Sequence, residues 1–291
     1  MGEIVGVGLI SHAPTIMFDE ATRRQLNDGK EISLVPGLRR LRSEIFDRLE
    51  PDTIVIIDSH WETTVEHVVS SHARRQGHMT SSELPRGMAG IPYDYEGDPE
   101  LAKMMAKSGD ELGTPTHASE DDYLPVYYAT VNLVHYLHKG EKVVSISVVQ
   151  TGEPDDFLTM GRAIAEAVDR LDRRVVILAS GGMSHSFWPL KELPDHEASD
   201  PIHIFTPEAR AADEQRLEWM EAGDHRRIVD TMDEYFEHNP EGDFGHYLMM
   251  LGAVGGAACT SKGTMLSDYE NATGTGQVHV WFEPLAGGWT G

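Results

Sequence analysis

Short runs rich in Val and Ile alternate with stretches of helical period along this chain, and that alternation leaves it few architectures to fold into. Residues 3–10, 53–59, 142–149, 174–180 and 278–282 read as buried strands, because branched and aromatic side chains suit a pleated, packed surface. Between them, residues 35–49, 99–112, 156–171, 207–222 and 243–254 place apolar residues opposite polar ones at helical spacing. Strand followed by helix, repeated, predicts an α/β domain with a central, partly parallel sheet flanked by helices.

Three breaks punctuate this pattern. Pro36-Gly37 and Glu50-Pro51-Asp52 bracket the first long helix, and Gly152-Glu153-Pro154 opens the second half. Residues 77–97 carry Pro85, Pro92 and several glycines but keep apolar anchors, which reads as an irregular excursion rather than a linker. With no internal repeat and no low-complexity tract, residues 1–291 are expected to form a single catalytic domain.

Composition narrows the partners. The formal charge of −24, from 48 acidic and 24 basic residues, argues against nucleic acid, whose phosphates need a basic surface. It equally disfavours an anionic membrane. Such an acidic excess is a lever of proteins adapted to high salt, so a salt-tolerant source is expected. The apolar runs fall well short of the roughly 20 residues that span a bilayer, and the first residues lack the basic region and cleavage site of a signal peptide. A cytoplasmic location follows as the expectation. The single cysteine, Cys259, makes neither an internal disulfide nor a four-ligand zinc site, leaving His and carboxylates for any metal.

The polar residues at the carboxyl ends of the strands are where an α/β sheet binds its ligands, and three are histidines. The first strand ends in Ser11-His12-Ala13-Pro14, the second in Asp58-Ser59-His60-Trp61, and the fourth runs Ser180-Gly181-Gly182-Met183-Ser184-His185. Two neutral imidazoles and one carboxylate on one face hold iron with positions left open, the arrangement of oxygen-using non-haem Fe(II) enzymes. Glu241, set between Pro240 and Gly242 before a helix, is the most suggestive carboxylate. On pattern alone the commoner reading is a surface acid at a helix start, favoured by the helix dipole.

These segments resemble the class III extradiol ring-cleaving dioxygenases, the group that includes the protocatechuate 4,5-dioxygenase catalytic subunit. Thr80-Ser81-Ser82-Glu83-Leu84-Pro85, residues 93–101 from Tyr93 to Leu101, and Gly274-Thr275-Gly276-Gln277-Val278 resemble the branch that cleaves homoprotocatechuate (3,4-dihydroxyphenylacetate) at its 2,3 bond. The likeness runs over nearly the whole chain. It implies that His12, His60 and Glu241 hold Fe(II), with Mn(II) as the alternative, that O2 is co-substrate, and that His185 is the acid/base. It implies a small aromatic diol as substrate and a semialdehyde as product.

Many members of the wider class carry a second active-site histidine before a proline, where this chain reads Glu120-Asp121-Asp122-Tyr123-Leu124-Pro125. Tyr123 is the expected substitute, with Asp122 and His117 open as alternatives. Arg86 is a candidate partner for a substrate carboxylate, and Trp61, Trp188 and Tyr93 are candidate pocket walls, each weighed against surface or core packing. The solvated helix 207–222 is a candidate homo-oligomer contact. Two readings compete with the dioxygenase: a zinc or manganese hydrolase, which uses a similar ligand set, and a non-catalytic partner subunit. A related dioxygenase acting on protocatechuate, gallate or its methyl ether, or an aminophenol is the nearer alternative.

Overall fold

The computed structural model describes residues 1–290. Its strands are β1 (Glu3–Ile10), β2 (Thr53–Thr63), β3 (His67–Ser70), β4 (Arg74–Met79), β5 (Ile91–Glu96), β6 (Thr116–Ser119), β7 (Lys142–Val149), β8 (Arg174–Ser180), β9 (Thr264–Met265), β10 (Glu270–Ala272), β11 (Thr275–Gln277) and β12 (His279–Phe282). Eight of them form one sheet in the order β6-β3-β7-β2-β8-β1-β12-β9. Its centre, β7-β2-β8-β1, is parallel, while β12 joins β1, and β3 joins β7, in antiparallel sense. The α/β architecture expected from the alternation of elements is therefore present.

The central strands are apolar on both faces, as a sheet covered on both sides requires. In β2, Val55 and Ile57 point to one face and Ile54 and Ile56 to the other; in β8, Val175 and Ile177 alternate likewise with Val176 and Leu178. One face packs on the helices Pro154–Asp169 and Gly245–Ala253, with Phe157, Met160, Leu248 and Met249 fully buried. The other packs on Tyr128–Leu137 and on residues 34–49, whose helix is widened to a π turn over Leu41–Phe46. Gly6 is required where β1 passes Trp281, because a Cβ there would lie 2.2 Å from the indole ring.

Two expectations need correcting. Residues 77–97 are not an irregular excursion: β4 and β5 pair in antiparallel register from Arg74↔Glu96 to Met79↔Ile91, and only the strap between them is irregular. The prolines mislead because Pro92 sits in a two-stranded ribbon with a free edge, where a missing N–H is tolerated. The helix Tyr128–Leu137 is absent from the sequence pattern altogether. Eight of its ten residues are buried, so it lacks the polar stripe that makes a helix visible in sequence.

Candidate active site

The site lies at the carboxyl edge of β1, β2 and β8, where adjacent parallel strands end together. His12 follows β1 by two residues. Its Nδ1 lies 3.0 Å from Ser180 Oγ, and that hydroxyl donates at 2.9 Å to the Ala129 carbonyl. Ser180 therefore accepts from His12, so Nδ1 carries the proton and Nε2 is left as a lone pair. Burial, opposed by the Glu241 carboxylate, pulls the His12 pKa down to about 3, which keeps the ring neutral.

His60 sits in a bulge. The β2–β7 register slips between Asp58 and Glu62, and the buried Asp58 carboxylate holds the irregular turn by accepting from the His60 and Trp61 amides, both at 3.0 Å, and from Thr130 Oγ1 at 2.6 Å. Glu83, from the strap of the β4–β5 hairpin, lies 3.0 Å from His60 Nδ1, which turns Nε2 toward Glu241 and the Tyr128 hydroxyl. Burial works against charge on this ring, yet the carboxylates of Glu83, Glu241 and Asp58 raise its pKa to about 9. The same negative field favours a bound cation.

Glu241 is drawn in by the loop that follows β8. Ser184 and Pro240 form an antiparallel bridge, the Glu241 amide donates to Met183 O at 2.9 Å, and the His185 amide donates to Asn239 O at 2.9 Å. The turn is tight: Asn239, Gly242, Asp243 and Phe244 all have φ between 47° and 56°. The carboxylate accepts from Ser59 Oγ and from the Gly182 amide at 2.6 Å. A Cβ at Gly182 would stand 2.6 Å from Gln277 Nε2 and 3.0 Å from Glu241, so glycine is needed for this approach. Although burial alone would raise its pKa, the imidazoles of His12, His185, His60 and His246 hold Glu241 below the usual carboxylate range.

Glu241 Oε1 is thus 3.4 Å from His12 Nε2 and 3.6 Å from His60 Nε2, and one ligand atom from each residue falls within 4.8 Å of the other two. The neutral His12 ring, the His60 ring once a cation displaces its proton, and a carboxylate oxygen on one side fit a divalent metal with open positions. His185 Nε2 lies 3.9 Å from Glu241 Oε2, close enough to serve the same centre.

The structure does not bring Tyr123 to this cluster. It is 95% exposed in the turn after β6, and Asp122 and His117 are exposed as well. The tyrosine at the site is Tyr128, whose hydroxyl is 2.6 Å from His60 Nε2 and 3.1 Å from Glu83 Oε2. Burial, with Glu241 and Glu83 adding to it, raises the Tyr128 pKa, so the phenol keeps its proton. The signal that could have found it is the pair Tyr127-Tyr128, one buried and starting a helix, but without that helix Tyr123 is the nearer choice. Glu83 is visible in the sequence only as part of a motif.

A cavity of about 240 Å³ opens beside His185 and Glu241, lined also by Glu62, Gln150, Asn239 and Asp243. Its walls do not include Trp61, which stacks on Tyr127, Trp188, which stacks on His196, or Tyr93, which lies in the hairpin. Arg86 is exposed on the strap.

The sheet and the group formed by His12, His60 and Glu241 define an α/β protein with a site that could hold a metal ion. The chain belongs to the family of the catalytic LigB subunit of aromatic ring-opening dioxygenase, whose profile matches residues 6–283, and it is an extradiol ring-cleaving dioxygenase. Over 260 residues it is 28% identical to a 3,4-dihydroxyphenylacetate 2,3-dioxygenase of Escherichia coli, covering 88% of this chain and 91% of that one. It is 25% identical over 252 residues to the beta subunit of a 2-aminophenol 1,6-dioxygenase from a Pseudomonas species, covering 81% and 80%. A crystal structure of an uncharacterized protein from Escherichia coli K12 shares the fold with a TM-score of 0.62 at 17% identity, over 95% of this chain and 99% of that one. The hydrolase and the non-catalytic subunit are thereby set aside.

Proposed function

We propose that His12, His60 and Glu241 hold Fe(II) and that the protein uses O2 to open the ring of 3,4-dihydroxyphenylacetate beside its hydroxyl pair, giving a semialdehyde. The convergence of the three ligand atoms within 4.8 Å carries this reading, and the 28% identity to an enzyme of that name supports the substrate. Bound there, Fe(II) would supply a redox-active Lewis acid. His185 takes a proton from a ring hydroxyl and returns one later in the reaction, as an imidazole at the rim of the centre can. Tyr128, held protonated, stands 2.6 Å from His60 Nε2 and donates to Glu83 Oε2 at 3.1 Å when the His60 lone pair is occupied, so it orients the His60 ring and Glu83 at the rim of the centre.

A second reading rests on the cavity walls. Glu62 and Asp243 line it and no Lys or Arg does, which disfavours a carboxylate on the ring and favours an aminophenol or another ring without an acidic substituent. The experiment is anaerobic loading with Fe(II), then oxygen uptake and visible absorbance on 3,4-dihydroxyphenylacetate, protocatechuate, gallate and 2-aminophenol, with His12→Ala as control. Matched uptake and yellow product, lost in the variant, sustains extradiol cleavage with Fe(II) and ranks the substrates. Activity restored by Mn(II) but not by Fe(II) overturns the choice of metal.

We further propose that residues 1–291 act as one catalytic unit, located in the cytoplasm and self-associating into a homo-oligomer; among the described residues no helix is long and apolar enough to cross a membrane. Sedimentation of the purified chain tests the assembly, a monomer at micromolar concentration overturning it.

A further inference from the structure

The helix Pro207–Ala222 reads in sequence as a solvated surface element, yet it buries Asp213 completely. That carboxylate accepts hydrogen bonds from Ser184 Oγ at 2.7 Å, from the Ser184 amide at 3.2 Å to each oxygen, from Tyr235 at 2.7 Å and from Tyr269 at 2.6 Å. Burial pushes its pKa up, and these donors oppose the rise. Among the described residues no Lys or Arg forms an ion pair with it; the nearby Arg216 guanidinium instead lies 3.7 Å over the Tyr235 ring. A buried charge held only by hydroxyls and an amide is a costly way to fill space, since an apolar side chain of similar volume is commonly as stable.

What Asp213 grips is the hub of the site. Ser184 bridges to Pro240, and its carbonyl accepts from the Gly276 amide at 2.9 Å. Met183 on one side takes the Glu241 amide, and His185 on the other donates to Asn239 O. We propose that Asp213 is a positioning residue that fixes His185 and Glu241 relative to each other by clamping Ser184, with Tyr235 and Tyr269 holding the carboxylate in aim. This rests on the assignment of His185 and Glu241 to the active site.

The test uses the full chain carrying Asp213→Asn, Ser184→Ala or both, measured well below the melting temperature. Asp213→Asn keeps the volume but turns an amide toward groups that are all donors. Outer partners of this kind typically govern metal affinity or activity by about 10–100-fold. The expected results are kcat lowered about 10–100-fold with KM nearly unchanged, Mn(II) binding in equilibrium dialysis weakened over a similar range, and a double variant no worse than Asp213→Asn alone, because both act through one contact. Folded Asp213→Asn protein with parental kcat and Mn(II) affinity overturns the proposal, as do effects that simply add. If Asp213→Asn does not fold, Ser184→Ala and Tyr269→Phe each remove one donor, and parental values in both overturn it equally. Should the parent turn over no ring substrate, the functional reading fails while the Mn(II) measurement still decides the role of Asp213.

Discussion

Tyr128 and Tyr123 separate cleanly by experiment, since one is packed against His60 and the other stands in solvent. Tyr128→Phe is expected to lower kcat by about 10–100-fold, the usual range for losing an outer hydrogen-bonding partner of a metal ligand, while leaving bound metal at one equivalent; Tyr123→Phe should match the parent. Equal rates for all three proteins would remove Tyr128 from the chemistry. Glu270 offers a pH test away from the site. Its Oε1 accepts from the Ser33 amide at 2.7 Å while Oε2 has no partner among the described residues, and burial raises its pKa from 4.5 to about 7. Below pH 4.5 both folded and unfolded chains carry this proton; between 4.5 and about 7 only the folded one does, so stability falls as pH rises through that window. Glu270→Gln should flatten this slope and raise stability at pH 8 by a few kcal/mol, since each tenfold change in acidity is worth on the order of 1.4 kcal/mol. A urea midpoint that falls equally with pH in both proteins would contradict it.

At the scale of elements, the central strands were legible because covered strands must be apolar on both faces, which leaves a run of Val and Ile whatever else the chain does. β3 and β6 were not, being four residues each with mixed composition. Within the candidate site the histidines were legible, because His12 and His185 come after β1 and β8 and His60 lies at the bulge of β2, strands that announce themselves. Tyr128 was hidden because a helix buried at eight of its ten residues has little periodicity to read, and the proposed Asp213 clamp because one inward carboxylate on an outwardly charged helix leaves no trace in the pattern. Helix ends carry their own prediction. Asp98 caps Pro99–Leu112, accepting from the Leu101 amide at 3.2 Å and from Arg173 Nε at 2.7 Å. Although burial opposes it, Arg173 and the Leu101 amide hold its pKa below 3.8, so its contribution is present above that value and fades as pH falls through the folded one. Asp98→Ala should cost about 2 kcal/mol at neutral pH, a cap and a half-buried pair together, and the gap from the parent should narrow in acid. A constant gap from pH 7 to pH 2 would contradict the assignment.

Across the whole molecule, an excess of 24 negative charges should make the fold salt-responsive, because the screening length shrinks from about 10 Å at 0.1 M to about 3 Å at 1 M. The melting temperature is expected to rise by several degrees over that range of KCl, and an unchanged value would show that self-repulsion does not limit stability. The order of the sheet also bears on how the protein is made. β1 carries His12 toward the site, yet it lies between β8 and β12, strands that begin about 170 and 275 residues after it in the chain, and Glu241 arrives nearly as late. A ribosome has therefore made most of the protein before the first strand gains either lateral partner. In the proposed site, His12 and His60 therefore precede their carboxylate by more than 180 residues, and the growing chain presents no complete ligand set until about five-sixths of it has been made.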